Sequence, residues 1–306
     1  MTAMTQRPLR VLVTGGAGFI GRHVVAELRA RGHRPTVVDR LDHPDDEVPA
    51  VRGELDDPDV RDRAVTPELD AIVHLAAETS VLGSIERPAL VHRTNVEVTA
   101  ALLELARERG VGAFVLASTN AVAGPRDGEL TEEVALSPMT PYGATKAAGE
   151  MILSGYAGAY GMRTPALRLT NVYGPGMHHK DSFIPRLLRA AADGGEVQIY
   201  GDGLQRRDLV HVGDVARAFA QAVVDWPSGP VIIGSGCSHT VLDLVEAARE
   251  ATGLPIGARH VPAKPGEMPA VVVDLTRARE RGWEPTVSLT DGVRTAWADF
   301  SPAAKS

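Results

Sequence analysis

Short β-branched runs alternate with longer amphipathic ones along the first half of the chain. Arg10–Thr14, Thr36–Asp39, Ala71–Leu75, Ala113–Ser118 and Pro165–Leu169 read as strands covered on both faces, since short continuous apolar runs suit the middle of a parallel sheet. Between them apolar residues recur at helical spacing. The pattern predicts helices over Arg22–Arg31, Pro88–Arg109 and Met139–Tyr160, each followed by a glycine (Gly32, Gly110, Gly161) suited to ending a helix. Such βαβ alternation predicts an α/β fold, a doubly wound parallel sheet of Rossmann type with ligands at the carboxyl ends of its strands.

After Val172-Tyr-Gly-Pro-Gly176 the rhythm breaks. A helix over Ser182–Ala192, a strand Val197–Tyr200 and a Gly/Asp turn begin a smaller C-terminal α/β substrate lobe, while Val212–Val224 and Val231–Ile233 return to the large domain. The expected division is 1–173 with 208–234 for the Rossmann domain, and 174–207 with 235–306 for the lobe.

With 306 residues and 44% hydrophobic content, the chain can supply a core for both parts. A formal charge of −7 without clustered Lys or Arg argues against nucleic acid as the main partner. The single cysteine, Cys237, excludes an internal disulfide framework and a zinc cluster, so the cytoplasm is the expected compartment. No stretch approaches the roughly 18 apolar residues of a membrane span, and Met1–Arg10 lacks the apolar core of a signal sequence. Neither export nor membrane insertion is expected.

Two motifs carry chemistry. Gly15-Gly-Ala-Gly18-Phe19-Ile20-Gly21 follows a strand and opens a helix, where glycines permit a tight turn, close approach of a pyrophosphate and helix packing. Asp39 ends the next strand, where its carboxylate accepts hydrogen bonds from an adenosine ribose and repels a 2′-phosphate. That favours NAD over NADP; Arg40 beside it is the opposing sign, because a guanidinium can pair with such a phosphate. The second motif sets Tyr142 and Lys146 four residues apart, on one face of a helix. A nearby positive charge stabilises phenolate, so a tyrosine there can exchange a proton with an alcohol near neutral pH.

These motifs occur in order with His74-Leu-Ala-Ala77, Thr94-Asn-Val96, Ser118-Thr-Asn-Ala-Val-Ala-Gly124, Asn171-Val-Tyr-Gly-Pro175, Gly201-Asp-Gly203, Arg207-Asp-Leu-Val-His211 and Gly282-Trp-Glu-Pro285. Across nearly its whole length the chain thereby resembles the extended short-chain dehydrogenase/reductases, and within them nucleotide-sugar epimerases similar to UDP-glucose 4-epimerase. The resemblance implies that Tyr142 is the acid/base, that Lys146 holds the nicotinamide ribose and lowers the tyrosine pKa, and that Thr119 contacts the reacting sugar oxygen. It implies NAD contacts from Gly15, Gly18, Phe19, Ile20, Gly21, Asp39, Arg40, Glu54, Leu55, Leu75, Ala76, Ala77, Asn95 and Ser118, besides Tyr142 and Lys146. Asn171, Arg207, Lys264 and Glu267 are implied to face the diphosphate and nucleoside of the sugar nucleotide, although Asp208 beside Arg207 leaves a structural ion pair open.

The chain departs from the family pattern at Ala123, where tyrosine is common, at Glu54 for aspartate, at Val98 for glycine, and at Lys264 and Glu267 for arginine and aspartate. Its connection from Arg40 to Val51 is also short. Relatives that eliminate water or decarboxylate carry an acidic residue in the stretch occupied here by Asn120-Ala121, since elimination needs a further proton donor or acceptor. What remains is reversible hydride transfer, most simply 4-epimerisation of a sugar nucleotide through a 4-keto sugar. A keto-sugar reductase and a non-catalytic NAD(H) sensor are the alternatives. The resemblance also implies a homodimer, joined by helices 88–109 and 139–160.

The remaining polar features read as structural. His178 and His179 form an exposed loop pair without further metal ligands, His74 and His211 are strand residues with satisfied rings, and Glu54–Asp62 is a solvated loop and helix start. Cys237 is expected to act as a small packing residue.

Overall fold

The computed structural model describes residues 7–125, 128–263 and 271–301. In chain order its strands are β1 Arg10–Thr14, β2 Arg34–Asp39, β3 Ala50–Arg52, β4 Ala71–His74, β5 Ala113–Thr119, β6 Pro165–Leu169, β7 Asn171–Tyr173, β8 Glu196–Tyr200, β9 Arg206–His211, β10 Gly229–Ile233, β11 Ser238–Thr240 and β12 Gly257–Val261. The helices that bear on the site are α1 Phe19–Ala30, α2 Pro58–Ala64, α3 Val81–Glu86, α4 Pro88–His92, α5 Val98–Glu108 and α6 Pro141–Tyr160.

A seven-stranded sheet runs β10-β6-β5-β4-β1-β2-β3. The pairs β1–β2, β2–β3, β1–β4 and β4–β5 are parallel, and β4, β5 and β6 are buried at every position, as strands covered on both faces must be. From β1 the chain builds outward through β2 and β3, then crosses back to add β4 on the other side of β1. Strand order therefore reverses between β1 and β4, and the crevice at their carboxyl ends is where such sheets take ligands. Leu12, Ile72, Phe114 and Leu116 of these strands pack with Leu102, Leu103 and Leu153 in one apolar cluster.

Helix ends follow the sequence signals. Thr140 caps α6 through its side chain, Pro141 occupies the first turn, and Gly161 ends the helix at φ +67°. One expected helix is broken: 88–109 consists of α4, a π-helical turn at Arg93–Glu97, and α5. The turn carries Asn95 inward, where its amide donates to the Glu78 carbonyl at 3.0 Å and to Thr145 Oγ1 at 3.1 Å. Widened turns of this kind serve to aim one side chain that regular spacing would misplace.

The chain divides into two compact units, Met1–Gly124 with Ala135–Arg168 and Ala216–Val231, and Pro125–Val134 with Leu169–Val215 and Ile232–Ser306. The expected boundary at 173 is corrected to 168, because β7 pairs in parallel with β9 in a separate three-stranded sheet, β11-β9-β7. Residues 208–215, expected in the Rossmann domain, belong with that sheet too. Residues 125–134 also join the second unit, where the Leu130 amide bonds the Val272 carbonyl. Within this unit β8 and β12 form a parallel pair. Buried Asp214 accepts from the backbone amides of Thr286 and Val287, and its own carbonyl accepts from the Trp283 indole at 3.0 Å.

Candidate active site

The glycine loop is defined by what it excludes. A Cβ on Gly21 would lie 2.1 Å from the Gly15 carbonyl oxygen, and one on Gly15, at φ +69°, would lie 2.9 Å from the Ala76 amide nitrogen. Helix α1 begins at Phe19 without a side-chain cap, with no acidic residue in its first turn. Its first amides are thus left for an anion, which the helix dipole also favours. Asp39 steadies this loop, accepting from the Ala17 amide and the Leu41 amide at 3.0 Å each, and its partly exposed oxygens retain lone pairs for ribose hydroxyls. An uncapped helix end, a glycine cradle and a carboxylate at the end of the neighbouring strand fit a dinucleotide. Arg40 and Glu54 are exposed beside this edge, whereas Phe19 is buried and Ile20 partly so. The Leu55 side chain lies in the apolar cluster.

Below the loop, Thr14 Oγ1 accepts from the Ala76 amide and bonds His74 Nδ1 at 2.7 Å, while His74 Nε2 meets Thr99 Oγ1 at 3.0 Å. Leu75, Ala76 and Ala77 leave β4 on this support, the Leu75 amide bonding the Thr14 carbonyl. His74 is neutral: burial, aided by the Lys146 charge, holds its pKa down to about 3. In the unfolded chain it titrates at 6.5, so between these values the unfolded state binds the extra proton. Its contribution to stability is therefore complete above pH 6.5 and is lost as the pH falls toward 3. Unfolding free energy measured in urea should drop by about 2 kcal/mol from this residue between pH 7 and 5, and His74→Gln should flatten that slope.

The end of β5 and one face of α6 make the chemical part of the site. The hydroxyls of Thr119 and Tyr142 lie close enough to interact, and Lys146 Nζ donates to the Ala117 carbonyl at 2.9 Å. Tyr142 is partly buried and Lys146 buried. Burial lowers the Lys146 pKa to about 8 and raises that of Tyr142, against which only the Thr119 hydroxyl acts. In the protein by itself, desolvation of Tyr142 outweighs any help from the Lys146 ammonium, which is turned to a carbonyl. The hydroxyls and the ammonium nonetheless converge on the strand end, as a proton-exchange site requires.

Two expected cofactor residues are engaged elsewhere. Ser118 donates to buried Glu150, which Arg168 also holds, and Asn95 bonds Glu78 and Thr145 through both ends of its amide. In the second unit Asn171 is exposed and its amide donates to the Asp208 carbonyl at 2.9 Å. Arg207 donates to the Arg206 carbonyl at 2.8 Å, and the Asp208 carboxylate accepts from Thr170 and Ser235. Lys264 and Glu267 lie outside the described residues. His211 is satisfied by Thr295 and the Gly213 amide, and Cys237 is exposed, which corrects its expected packing role. No cluster among the described residues is suited to a metal ion, and none of their helices is long and apolar enough to cross a membrane.

The model of the NAD dependent epimerase/dehydratase family matches residues 11–233. A dTDP-glucose 4,6-dehydratase of Streptomyces niveus is 37% identical, the alignment covering 93% of this chain and 90% of that protein. The UDP-glucose 4-epimerase of Corynebacterium glutamicum is 32% identical over 97% of this chain and 99% of its own. Among solved structures, the UDP-glucose 4-epimerase of Thermus thermophilus in complex with NAD superposes with a TM-score of 0.87 at 35% identity, covering 95% of this chain and 99% of that one. With the glycine cradle, the acidic end of β2 and the Thr-Tyr-Lys cluster, these likenesses make the chain a member of the NAD-dependent epimerase/dehydratase family, an extended short-chain dehydrogenase/reductase of the nucleotide-sugar epimerase type.

Proposed function

We propose that the chain is a nucleotide-sugar 4-epimerase acting on a UDP-sugar in the cytoplasm. The observation that carries this reading is the single proton-exchange couple at the end of β5. The Thr119 and Tyr142 hydroxyls interact there, and the turn that follows, Asn120–Ala123, offers no carboxylate. Tyr142, as phenolate, removes the proton of the sugar 4-hydroxyl while Thr119 holds that oxygen, and Tyr142 returns the proton when the alcohol is re-formed. NAD, held by the first unit, would supply the acceptor for the C4 hydride and its return, together with a positive charge that would favour the Tyr142 phenolate. Lys146 orients the nicotinamide ribose from the floor of the site. The first unit holds the dinucleotide through Gly15, Gly18, Gly21 and Asp39. Asn171 and Arg207, with Lys264 and Glu267, engage the diphosphate and nucleoside, so that binding energy remote from C4 anchors the substrate while the sugar turns over.

The Streptomyces niveus likeness favours a second outcome, dehydration. That reaction needs an acid or base at C5 and C6, and Ala121 supplies none. One experiment separates the readings: purified protein is mixed with UDP-glucose without added cofactor, and products are resolved by mass and chromatography. A 4-epimer of unchanged mass supports the proposal. Loss of one water shows dehydration, and turnover only with stoichiometric NADPH shows a reductase.

We further propose a homodimer. The apolar residues of α5 are largely buried within its own unit, but Leu82 and Ile85 on α3 and Met151 on α6 are 71%, 59% and 63% exposed, and α3 contacts α6. A patch of this kind calls for a covering partner. Light scattering should give twice the chain mass, and Leu82→Glu with Met151→Glu should return a monomer that still binds NAD.

A further inference from the structure

Helix α6 has an unusual interior face. Its buried residues are Gly143, Thr145, Lys146, Ala147, Gly149, Glu150 and Leu153, so Leu153 is the one large apolar side chain among them. Ile152 and Tyr156 add partly buried packing against the apolar cluster, but with Leu153 they lie in the C-terminal half of the helix, and the small residues around Tyr142 and Lys146 offer little to interlock. Polar contacts take that place. Tyr142, Lys146 and Glu150, one turn apart each, meet Thr119, Ala117 and Ser118, three consecutive residues at the end of β5. The third contact is the most elaborate. Glu150 accepts from Ser118 Oγ at 2.5 Å and from Arg168 Nε and Nη2 at 3.1 and 2.8 Å, with Arg168 rising from the neighbouring strand β6. Relative exposures of 8%, 3% and 3% for Glu150, Arg168 and Ser118 leave this ion pair shut away from water.

We propose that Glu150 and Arg168 are positioning residues for the reaction: through Ser118 they fix the rotation of α6 on β5 and thereby aim Tyr142 and Lys146. The inference rests on the proposed reading of Tyr142 as acid/base. A buried ion pair is a poor source of stability, since its desolvation cost offsets most of its attraction, whereas it does specify one geometry sharply. Two strands and one helix meet at this carboxylate. A rotation of α6 that moved Glu150 off Arg168 would carry Tyr142, two turns away on the same face, off Thr119.

The test replaces the pair by apolar residues of similar volume, Glu150→Leu with Arg168→Met, which removes the charges without leaving one unpaired. The holoprotein is followed by thermal unfolding, bound NAD, kinetics with UDP-glucose, and ultraviolet titration of Tyr142, with Tyr142→Phe as the spectral background. The double variant should fold and hold NAD, lose kcat by about 30-fold with KM changed little, and show the Tyr142 ionisation displaced upward by about one unit. A folded double variant with wild-type kcat and an unmoved titration overturns the proposal, because a merely structural pair would give that result. If the double variant does not fold, Ser118→Ala decides. It cuts the link to β5 while keeping the ion pair, and must lower kcat and move the titration in the same direction, or the proposal falls. If Tyr142→Phe itself keeps full turnover, the acid/base reading is what fails. The titration still reports whether the pair positions the helix.

Discussion

Tyr142→Phe should leave the fold and the bound NAD intact and lower turnover by about a thousandfold, since general acid/base groups contribute about 10²–10⁴. The substitution removes one oxygen from a partly buried ring beside the Thr119 hydroxyl, so packing changes little and the glycine loop is untouched. What is lost is the hydroxyl proposed to accept and return the substrate proton. Thr119 has no accessible ionisation, and Lys146 is directed to the Ala117 carbonyl. Because burial raises the Tyr142 pKa in the protein by itself, the active phenolate depends on a charge brought in with the cofactor. The kcat of the parent should accordingly rise with pH through the ionisation of the holoenzyme tyrosine, and the residual rate of the variant should lack that limb. Thr119→Val, which keeps the base and removes only the hydrogen bond to the substrate oxygen, should cost less, about ten- to a hundredfold. Steady-state rates with the absorbance of retained NAD test both variants. A Tyr142→Phe rate within tenfold of the parent contradicts the assignment.

The central strands and the ends of α1, α5 and α6 were legible in sequence because each has a local cause: a continuous apolar run for a strand covered on both sides, or a glycine after the last helical residue. Gly32, Gly110 and Gly161 all take positive φ at those ends. The glycine loop with Asp39 and the Tyr142/Lys146 pair were legible for the same reason, since fixed spacing carries their geometry. The rest depends on pairing over distance. Arg168 finds Glu150 across 18 residues, Thr170 finds Asp208 across 38, and Asn95 finds Thr145 across 50, none of which leaves a periodic trace. The π turn at Arg93–Glu97 hid inside a pattern that reads as one helix, because one extra residue per turn shifts the apolar period too little to notice. The direction of the Tyr142 shift depends on burial, which spacing does not report.

Gly21→Ala should abolish useful NAD binding, by about a hundredfold or more, while the chain still folds with a lowered melting temperature. The added methyl would stand 2.1 Å from the Gly15 carbonyl oxygen and 2.6 Å from the Gly16 Cα. Both neighbours are backbone, so no side chain can rotate away, and relief requires α1 to move off the loop. That movement carries with it the first amides of the helix, which lack a side-chain cap and are proposed to hold the pyrophosphate. Losing one or two hydrogen bonds to a charged group, at about 1.5–3 kcal/mol each, accounts for the affinity change. Backbone strain alone predicts something different, and Gly32→Ala separates the two. Gly32 sits at φ +79° after the same helix with nothing within 4 Å of an added Cβ. Alanine there should cost about 1 kcal/mol of stability and leave NAD affinity unchanged. Calorimetric titration of NAD into cofactor-free protein, beside thermal unfolding of both variants, gives the comparison. Equal affinities in Gly21→Ala and the parent would mean that close helix packing on the glycine loop does not set the pyrophosphate site.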